Sequence, residues 1–319
     1  MVKKRRTFKN PLTFIDLFAW IGWIRMWFES IWGKCLFTSV WDESAQKTYR
    51  VNYNDHPYGD ITQIEPSEIP NFNILLAGFP CQPFSQAWLK RGFEDTRWTL
   101  FFNIAKIVEY HKPEVIFLEN VRNLAGHEKG KTLKVILGTI EWLWYKTFHK
   151  ILNAKDFWLP QNRARIYIIG FKNHDIKFEF PDWTWEETRL WDILEEIVDE
   201  KYTISDKLWA WHQRRKEEHK AKWNGFGYSI FDHESKYTST ISARYYKDGS
   251  EILIQQQWKN PRKLTPREAA RLQGYPDTFI IPVSDSKAYK QFWNSVAVPV
   301  IKALAHQIQL SISNYKIWK

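Results

Sequence analysis

Short apolar runs alternate with stretches of apolar residues at helical spacing over the first 180 residues. The apolar runs predict buried strands at residues 14–18, 36–41, 72–77, 115–118, 147–152 and 165–171. Apolar positions three or four residues apart predict a helix that begins after residue 19 and ends near Ser30. The same spacing predicts helices at 44–53, 99–111 and 132–141. This alternation is typical of an α/β fold with a doubly wound sheet and right-handed crossovers.

The pattern changes near Pro181. From 181 to 283 the chain is polar and aromatic, with short strand-like pieces such as 251–254 and a charged helix at 212–222. Apolar positions at helical spacing return after residue 284, notably over 300–312. We therefore predict a large domain at 1–180, a smaller irregular domain at 181–283, and a C-terminal segment at 284–319 that returns to the large domain.

Charge and composition narrow the class of protein. The net charge of +10 favours a polyanionic partner, and nucleic acid is the first candidate. Charge alone does not decide this, because many basic proteins bind no nucleic acid. No apolar run approaches the roughly 20 residues that span a bilayer, and the basic start lacks the apolar core of a signal peptide. We expect a cytoplasmic protein with no membrane partner. Two cysteines provide neither a disulfide framework nor a metal-ligand set.

Carboxylates and one cysteine come where predicted strands end. Asp16, Asp42, Cys81 and Glu119 hold such positions, and Asp60 lies in a loop that follows the next segment. The carboxyl ends of parallel strands meet at one edge of a sheet, so these side chains are expected there together. A carboxylate at that edge either caps a helix or accepts from ribose and exocyclic-amine groups, so the set predicts a nucleoside-containing ligand. The absence of Gly-x-Gly-x-x-Gly disfavours NAD and FAD.

Cys81 follows an apolar strand and a stiff residue, Pro80. A single cysteine is more often a small buried apolar residue than a reactive one. Here an acid, Glu119, and two arginines, Arg163 and Arg165, accompany it. The arginines are two apart on a predicted strand, so they are expected on one face. Together these groups predict a thiolate that adds to an electron-poor ring carbon while an acid neutralises the resulting charge.

With these residues assembled, the sequence resembles the DNA (cytosine-5) methyltransferase family, of the bacterial restriction–modification type, over nearly the whole chain. The matching stretches follow the family's order and spacing: Phe14–Trp23, Gly59-Asp60-Ile61, Gly78–Ser85, Glu119-Asn120-Val121, 161–165, 264–268 with Arg271, Gly274-Tyr275-Pro276 and Asn294-Ser295-Val296. The resemblance implies a Rossmann-like methyltransferase sheet in a catalytic domain at 1–180 and a target-recognition domain at 181–283. It also implies methyl transfer from S-adenosyl-methionine to C5 of a flipped cytosine in a short duplex DNA sequence.

The resemblance also implies individual roles. Cys81 is expected to attack C6 of the base, Glu119 to hold N3 and the exocyclic amine, Arg165 to contact the base carbonyl with Arg163 nearby, and Pro80 to shape the base pocket. The expected cofactor residues are Asp16, Phe18, Ala19, Gly22, Trp41, Asp60, Ile61, Leu100, Asn294 and Ser295. The expected DNA contacts are Ser85 and Arg97, in a loop at 82–99, and Arg244 and Lys247.

The target sequence is expected to contain CC, as in sites of the CCGG or CCNGG type, because 240–249 looks like the recognition loop of enzymes that modify such sites. Arg244 and Lys247 either read guanine or bind phosphate there. We expect a monomer that protects host DNA from a cognate restriction endonuclease without binding that nuclease.

The chain departs from the family in its tryptophans. It has 19 Trp and only 13 Gly, whereas average glycine usage is about 7%. The family has glycine at Trp20, Trp23, Trp27, Trp32, Trp88, Trp98, Trp144, Trp158, Trp223, Trp258 and Trp293. One hypothesis is that UGA codons, which some bacterial lineages read as glycine, have been translated as tryptophan. An indole at position 20 or 23 is expected to block the approach of the backbone to the cofactor.

Val40 is a further departure, because the family usually places an acid on the ribose hydroxyls there. Codon reading does not account for it. If the tryptophans and Val40 are genuine, the alternative function is a catalytically impaired DNA-binding relative. An RNA cytosine methyltransferase relative is a third interpretation, which the long second domain disfavours.

Overall fold

The computed structural model describes residues 12–80, 99–182, 188–221, 227–242 and 244–315. The chain divides into two compact units. Unit 1 comprises 1–152, 164–182 and 301–319, and unit 2 comprises 153–163 and 183–300. The change near residue 182 lies close to the predicted boundary. The C-terminal return differs, since 284–300 belongs to unit 2 and only 301–319 to unit 1.

Unit 1 contains a six-stranded sheet. Its strands are β1 (Leu12–Leu17), β2 (Gly33–Ser39), β3 (Ile74–Gly78), β4 (Val115–Val121), β5 (Lys146–Asn153) and β6 (Ala164–Phe171), in the order β2-β1-β3-β4-β6-β5. β1 pairs in parallel with β2 and β3, and β3 pairs in parallel with β4. The predicted α/β fold class is therefore confirmed, and the carboxyl ends of β1–β4 meet at one edge.

One strand differs from a fully parallel doubly wound sheet. β6 runs antiparallel to β4, with Val121 opposite Arg165. The connection from β5 to β6, residues 154–163, has only a single short 3-10 turn at Ala154–Asp156. A parallel crossover needs a dozen or more residues and usually a helix, so this connection is too short for one.

Helices pack beside the sheet of unit 1. They are α1 (Trp23–Trp32), α2 (Glu43–Tyr53), α3 (Thr99–His111) and α4 (Lys131–Trp142). Asp42 begins α2 by accepting a hydrogen bond from the Ala45 backbone N–H at 3.0 Å. The core joins buried sheet residues such as Ile15, Leu75 and Ile116 to Ile104 of α3 and Ile136 of α4. The prediction for 99–111 is correct, whereas the strand predicted at 36–41 lies at 33–39.

Unit 2 has shorter elements. Its helices are α5 (Asp206–Ala221), α6 (Tyr245–Asp248), α7 (Pro266–Leu272) and α8 (Asp285–Asn294), and its strands β7 (Ile230–Phe231) and β8 (Leu253–Ile254) pair in parallel. The fully buried Glu268 carboxylate receives two hydrogen bonds from Arg262, at 2.7 and 2.8 Å. Thr265 and Glu268 also form a capping box at the start of α7. The family-like stretch 264–268 therefore has a structural role in this unit.

A final helix, α9 (Val298–Tyr315), extends across the division at residue 301. Among the described residues, one helical stretch, Asp285–Tyr315, is long and apolar enough by composition to cross a membrane. However, 61% of its apolar window is buried inside the protein. Ile301, Leu304 and Ile308 are fully buried, so packing accounts for the apolar face.

Candidate active site

A pocket of about 540 Å³ opens in unit 1, at the edge where β1, β2 and β3 end. Five of the predicted cofactor residues line it, namely Phe18, Trp41, Asp60, Ile61 and Leu100, together with Pro80 from the predicted catalytic set. The sequence therefore located this pocket through residues that follow separate elements of the chain. Cofactor sites of open α/β sheets occur at this edge.

The pocket is also lined by Trp20, Ser39, Val40, Asp42 and Thr62. The sequence had already associated Trp20, Val40 and Asp42 with the ligand, whereas Ser39 and Thr62 were not predicted. Ser39 is the last residue of β2, and its hydroxyl donates to the Gly59 carbonyl oxygen at 2.9 Å. Thr62 donates its backbone N–H to the Asp60 carboxylate at 2.9 Å. The sequence could have indicated Ser39 because it lies near the end of a predicted strand, and Thr62 because it lies two residues after Asp60.

The lining suits the adenosine part of S-adenosyl-methionine. Trp41 is 64% exposed, so its indole is accessible to a stacking ligand. The exposed Asp60 carboxylate can accept from an exocyclic amine. Val40 offers no side-chain acceptor, whereas its near neighbour Asp42 brings a carboxylate to the same pocket. The Asp42 oxygen Oδ1 also accepts from the Ser44 hydroxyl at 2.6 Å and therefore holds the start of α2.

The loop between β1 and α1 forms one wall of the pocket and contains Phe18 and Trp20. Phe18 follows β1 with a left-handed backbone of φ 57°, and the next N–H, from Ala19, donates to the Ser39 carbonyl oxygen at 3.2 Å. Gly22 ends the loop with φ 85°. A Cβ at Gly22 would lie 2.2 Å from the Tyr53 ring, so only glycine fits there.

A buried polar cluster lies around Asp16, behind this loop. Arg25 donates to the Tyr49 hydroxyl at 2.7 Å and to Asp55 at 2.5 Å. Burial raises the pKa of Asp16 to about 8, although the Arg25 charge opposes the shift. Asp16 and Ala19 are buried outside the pocket lining, so their predicted contact with the cofactor stays a prediction.

Glu119 and Arg165 come together at the end of β4. The Arg165 Nε atom lies 3.3 Å from Oε1 of Glu119, and each side chain is about one-tenth exposed. Glu119 pairs with Gly78 of β3, and a Cβ at Gly78 would lie 3.4 Å from Oε2 of Glu119. Asn120 donates to the Phe79 carbonyl oxygen at 2.8 Å. The carboxylate therefore lies beside the strand that leads to Cys81.

Arg163 has different partners from Arg165. It precedes β6, belongs to unit 2, and donates to the carbonyl oxygens of Trp293, at 2.6 Å, and of Ser295. The sequence predicted both arginines on one strand face, but only Arg165 lies within β6. The predicted place of Arg163 beside the base stays a prediction.

Four other predicted site residues lie in unit 2. Asn294 ends α8 and Ser295 follows it, both in unit 2. Arg244 and Lys247 are exposed, at the start of α6 and within it. Cys81, Ser85 and Arg97 lie outside the described residues, as do Trp88, Trp98 and Trp223. Trp23 is buried as the first residue of α1.

Comparisons with known proteins identify the family. Residues 12–310 match the model of the C-5 cytosine-specific DNA methylase family. Type II methyltransferase M.NlaX of Neisseria lactamica is 57% identical over 94% of this chain and 96% of its own length. Type II methyltransferase M1.ScrFI of Lactococcus lactis subsp. cremoris is 55% identical over 96% of this chain and 79% of its own length.

Solved structures agree on the fold. Entamoeba histolytica methyltransferase EhMeth has a TM-score of 0.76 at 22% identity, covering 97% of this chain and 100% of that chain. S. pombe Dnmt2 methyltransferase gives the same TM-score at 19% identity, over 96% of this chain and 100% of that chain. This chain belongs to the C-5 cytosine-specific DNA methylase family and is an S-adenosyl-methionine-dependent DNA (cytosine-5) methyltransferase of the bacterial restriction–modification type.

Proposed function

We propose that Cys81 is the nucleophile and that methyl transfer passes through a covalent bond between its sulfur and C6 of the target cytosine. The observation that carries the proposal is the position of Glu119 beside the end of β3, with Arg165 at 3.3 Å. Cys81 follows that strand by three residues. β4 and β6 therefore supply an acid and a cation beside the end of the strand that precedes Cys81 in the sequence.

The chemistry needs each of these groups. Addition of the Cys81 thiolate to C6 moves the electron pair of the C5–C6 bond toward C5. Glu119, in its protonated form, donates its proton to N3 as negative charge develops on the ring, and its other oxygen accepts a hydrogen bond from the exocyclic amine. Arg165 holds the Glu119 side chain in place and faces the base carbonyl. S-adenosyl-methionine, when bound, supplies an electrophilic methyl group. Loss of the C5 proton to a base then restores the double bond and releases the sulfur.

The target base must leave the helix stack during this reaction. C5 and C6 must meet the methyl donor and the thiol, and neighbouring bases in a duplex cover both faces of the ring. Pro80 lies in the pocket lining next to Cys81, where it limits the space open to a flipped base. Residues 82–99 are proposed to close over the DNA, with Ser85 and Arg97 as contacts.

Recognition of the target sequence is assigned to unit 2. Arg244 and Lys247 are exposed there, and the ammonium group of Lys247 lies 5.9 Å from the centre of the neighbouring Tyr246 ring. The proposed target contains CC, as in CCGG or CCNGG. The enzyme would act as a cytoplasmic monomer that protects host DNA from a cognate restriction endonuclease.

Trapping tests the covalent step. Duplex DNA of random sequence, synthesised with 5-fluorocytosine in place of cytosine, cannot lose the C5 substituent as a proton. With S-adenosyl-methionine, the enzyme is expected to form a complex with this DNA that survives boiling in detergent. Cys81→Ser removes the thiolate and is expected to give none. A complex of equal yield from Cys81→Ser would refute the role of Cys81.

A second candidate function is a DNA-binding protein with impaired catalysis. Trp20 lies in the cofactor pocket, and Val40 provides no side-chain acceptor for the ribose. Both observations favour weak cofactor binding. Duplex binding without measurable S-adenosyl-methionine binding, from the chain as printed, would support this candidate over the first.

A further inference from the structure

Four of the tryptophans in the described part of the chain have a left-handed backbone. They are Trp20 with φ 49°, Trp144 with φ 66°, Trp158 with φ 58° and Trp258 with φ 61°. A bulky side chain is rare in this region, because its Cβ crowds the neighbouring carbonyl oxygen. Glycine, which has no Cβ, enters the region at no steric cost. The other described tryptophans, at 23, 27, 32, 41, 142, 191, 209, 211 and 293, do not share this backbone, so it distinguishes only four of the positions where the family has glycine.

Trp144 shows what the backbone requires. It follows α4, and its N–H donates to the Glu141 carbonyl at 2.9 Å while Tyr145 donates to Ile140 at 3.2 Å. These are the two hydrogen bonds of a Schellman motif, whose left-handed position is usually glycine. Trp144 therefore occupies a glycine position by local geometry alone.

The same motif occurs elsewhere in this chain with glycine in place. After α7, Gly274 donates to Arg271 at 2.8 Å and Tyr275 donates to Ala270 at 3.2 Å. Gly274 has φ 87°. The two helix ends have the same pair of hydrogen bonds, and the residue after the left-handed position is tyrosine in both. They differ in that the left-handed residue is Trp144 after α4 and Gly274 after α7.

Burial offsets little of the backbone strain at the two most exposed positions. Trp258 is 100% exposed and Trp144 is 78% exposed, so neither indole gains much from burial. Trp158 is 37% exposed, so burial of its indole offsets part of the strain there. Trp20 is half-buried and lines the cofactor pocket, where its side chain takes up space beside Phe18 and Ile61.

We propose that positions 20, 144, 158 and 258 are glycine in the working enzyme, through UGA codons read as glycine, and that glycine at position 20 opens the pocket to the cofactor. The stability part of this inference is independent of the enzyme's function. The pocket part rests on the assignment of the cofactor site.

The codons give the first test. The gene is expected to have UGA at positions 20, 144, 158 and 258 and UGG at 41, 142, 191, 209 and 211. UGG at any of the first four positions would overturn the inference for that position.

Thermal unfolding gives the second test, with a matched pair of exposed tryptophans. Trp144→Gly is expected to raise Tm by about 2 °C or more, because it relieves a left-handed residue. Trp142 is 72% exposed and is the last residue of α4. Trp142→Gly is therefore expected to leave Tm unchanged or lower it. A Tm for Trp144→Gly no higher than that for Trp142→Gly would overturn the inference.

Calorimetric binding of S-adenosyl-methionine tests the pocket. Trp20→Gly is expected to lower Kd at least tenfold, whereas Trp158→Gly, which has the same backbone but lies outside the pocket lining, should leave Kd unchanged. An unchanged Kd for Trp20→Gly would overturn the role of position 20. If Kd is unchanged for Trp20→Gly but Trp144→Gly stabilises the protein, only the role of position 20 in cofactor binding is refuted. The assignment of glycine to the left-handed positions then stands.

Discussion

The Tyr53 hydroxyl donates a 2.6 Å hydrogen bond to the carbonyl oxygen of Gly22. The Tyr53 ring also occupies the space where a Cβ on Gly22 would lie. These two contacts fix the end of the loop that carries Phe18 and Trp20 into the proposed cofactor pocket. Tyr53 belongs to α2, so the second helix holds the pocket wall that follows the first strand.

Tyr53→Phe removes the hydrogen bond and keeps the ring. The loss of one bond to a backbone carbonyl is worth about 1 kcal/mol, which corresponds to roughly fivefold in an equilibrium constant. We expect Kd for S-adenosyl-methionine to rise by about that factor while kcat is preserved. Tyr49→Phe is the matched control, because that hydroxyl contacts Thr38 and Arg25 and not the loop backbone. Equal effects of the two substitutions would contradict the positioning role.

Val40→Glu tests the missing ribose acceptor. Val40 lines the pocket directly after β2 and presents no polar atom beyond its backbone. A carboxylate there would gain a charge-assisted hydrogen bond worth about 1.5 kcal/mol, or roughly tenfold in affinity. Calorimetry should show tighter cofactor binding for Val40→Glu than for Val40→Leu. If the two variants bind alike, the ribose does not approach residue 40.

Glu119→Gln separates catalysis from binding. The amide keeps the shape of the side chain beside Arg165 but has no acidic proton to give to N3. We expect kcat to fall by about 10²- to 10⁴-fold, the range of a general acid–base group, with duplex DNA affinity retained. Glu114→Gln, at an exposed ion pair with Lys172 in the same unit, is the control and should leave kcat unchanged. A full rate for Glu119→Gln would exclude this carboxylate from the reaction.

Asp16 should make stability depend on pH. Burial raises its pKa from 3.8 to about 8 in the folded protein, with Arg25 lowering and Glu29 raising it. The folded protein therefore keeps a proton that the unfolded chain has lost, and this contribution to stability declines as pH rises from about 4 to 8. Asp16→Asn removes the decline. Urea unfolding should show that Asp16→Asn changes the free energy of unfolding, relative to the unsubstituted protein, more favourably at pH 8 than at pH 5. An equal change at the two pH values would contradict the prediction.

The sequence predicted most of unit 1 because its strands are short apolar runs separated by helical periodicity. It also placed Phe18, Trp41 and Asp60 in the pocket, since residues after parallel strands meet at one edge. Glu119 and Arg165 were likewise predicted together and lie 3.3 Å apart.

Other features depend on contacts between residues distant in sequence. The antiparallel direction of β6 follows from a short connection rather than from any pattern within the strand. The hydrogen bonds of Arg163 to the carbonyls at 293 and 295 involve residues 130 and 132 positions away. Periodicity carries no information about either, and it also does not show which residues take a left-handed backbone.

We propose that this enzyme methylates C5 of cytosine through Cys81. The most direct measurement is bisulfite sequencing of DNA from cells that express the gene with glycine at positions 20, 144, 158 and 258, with and without Cys81→Ser. We expect 5-methylcytosine at one short sequence, containing CC, in the first strain and none in the second, with duplex binding retained by the purified Cys81→Ser protein. Methylation that persists without the Cys81 thiol, or no methylation in either strain, would contradict it.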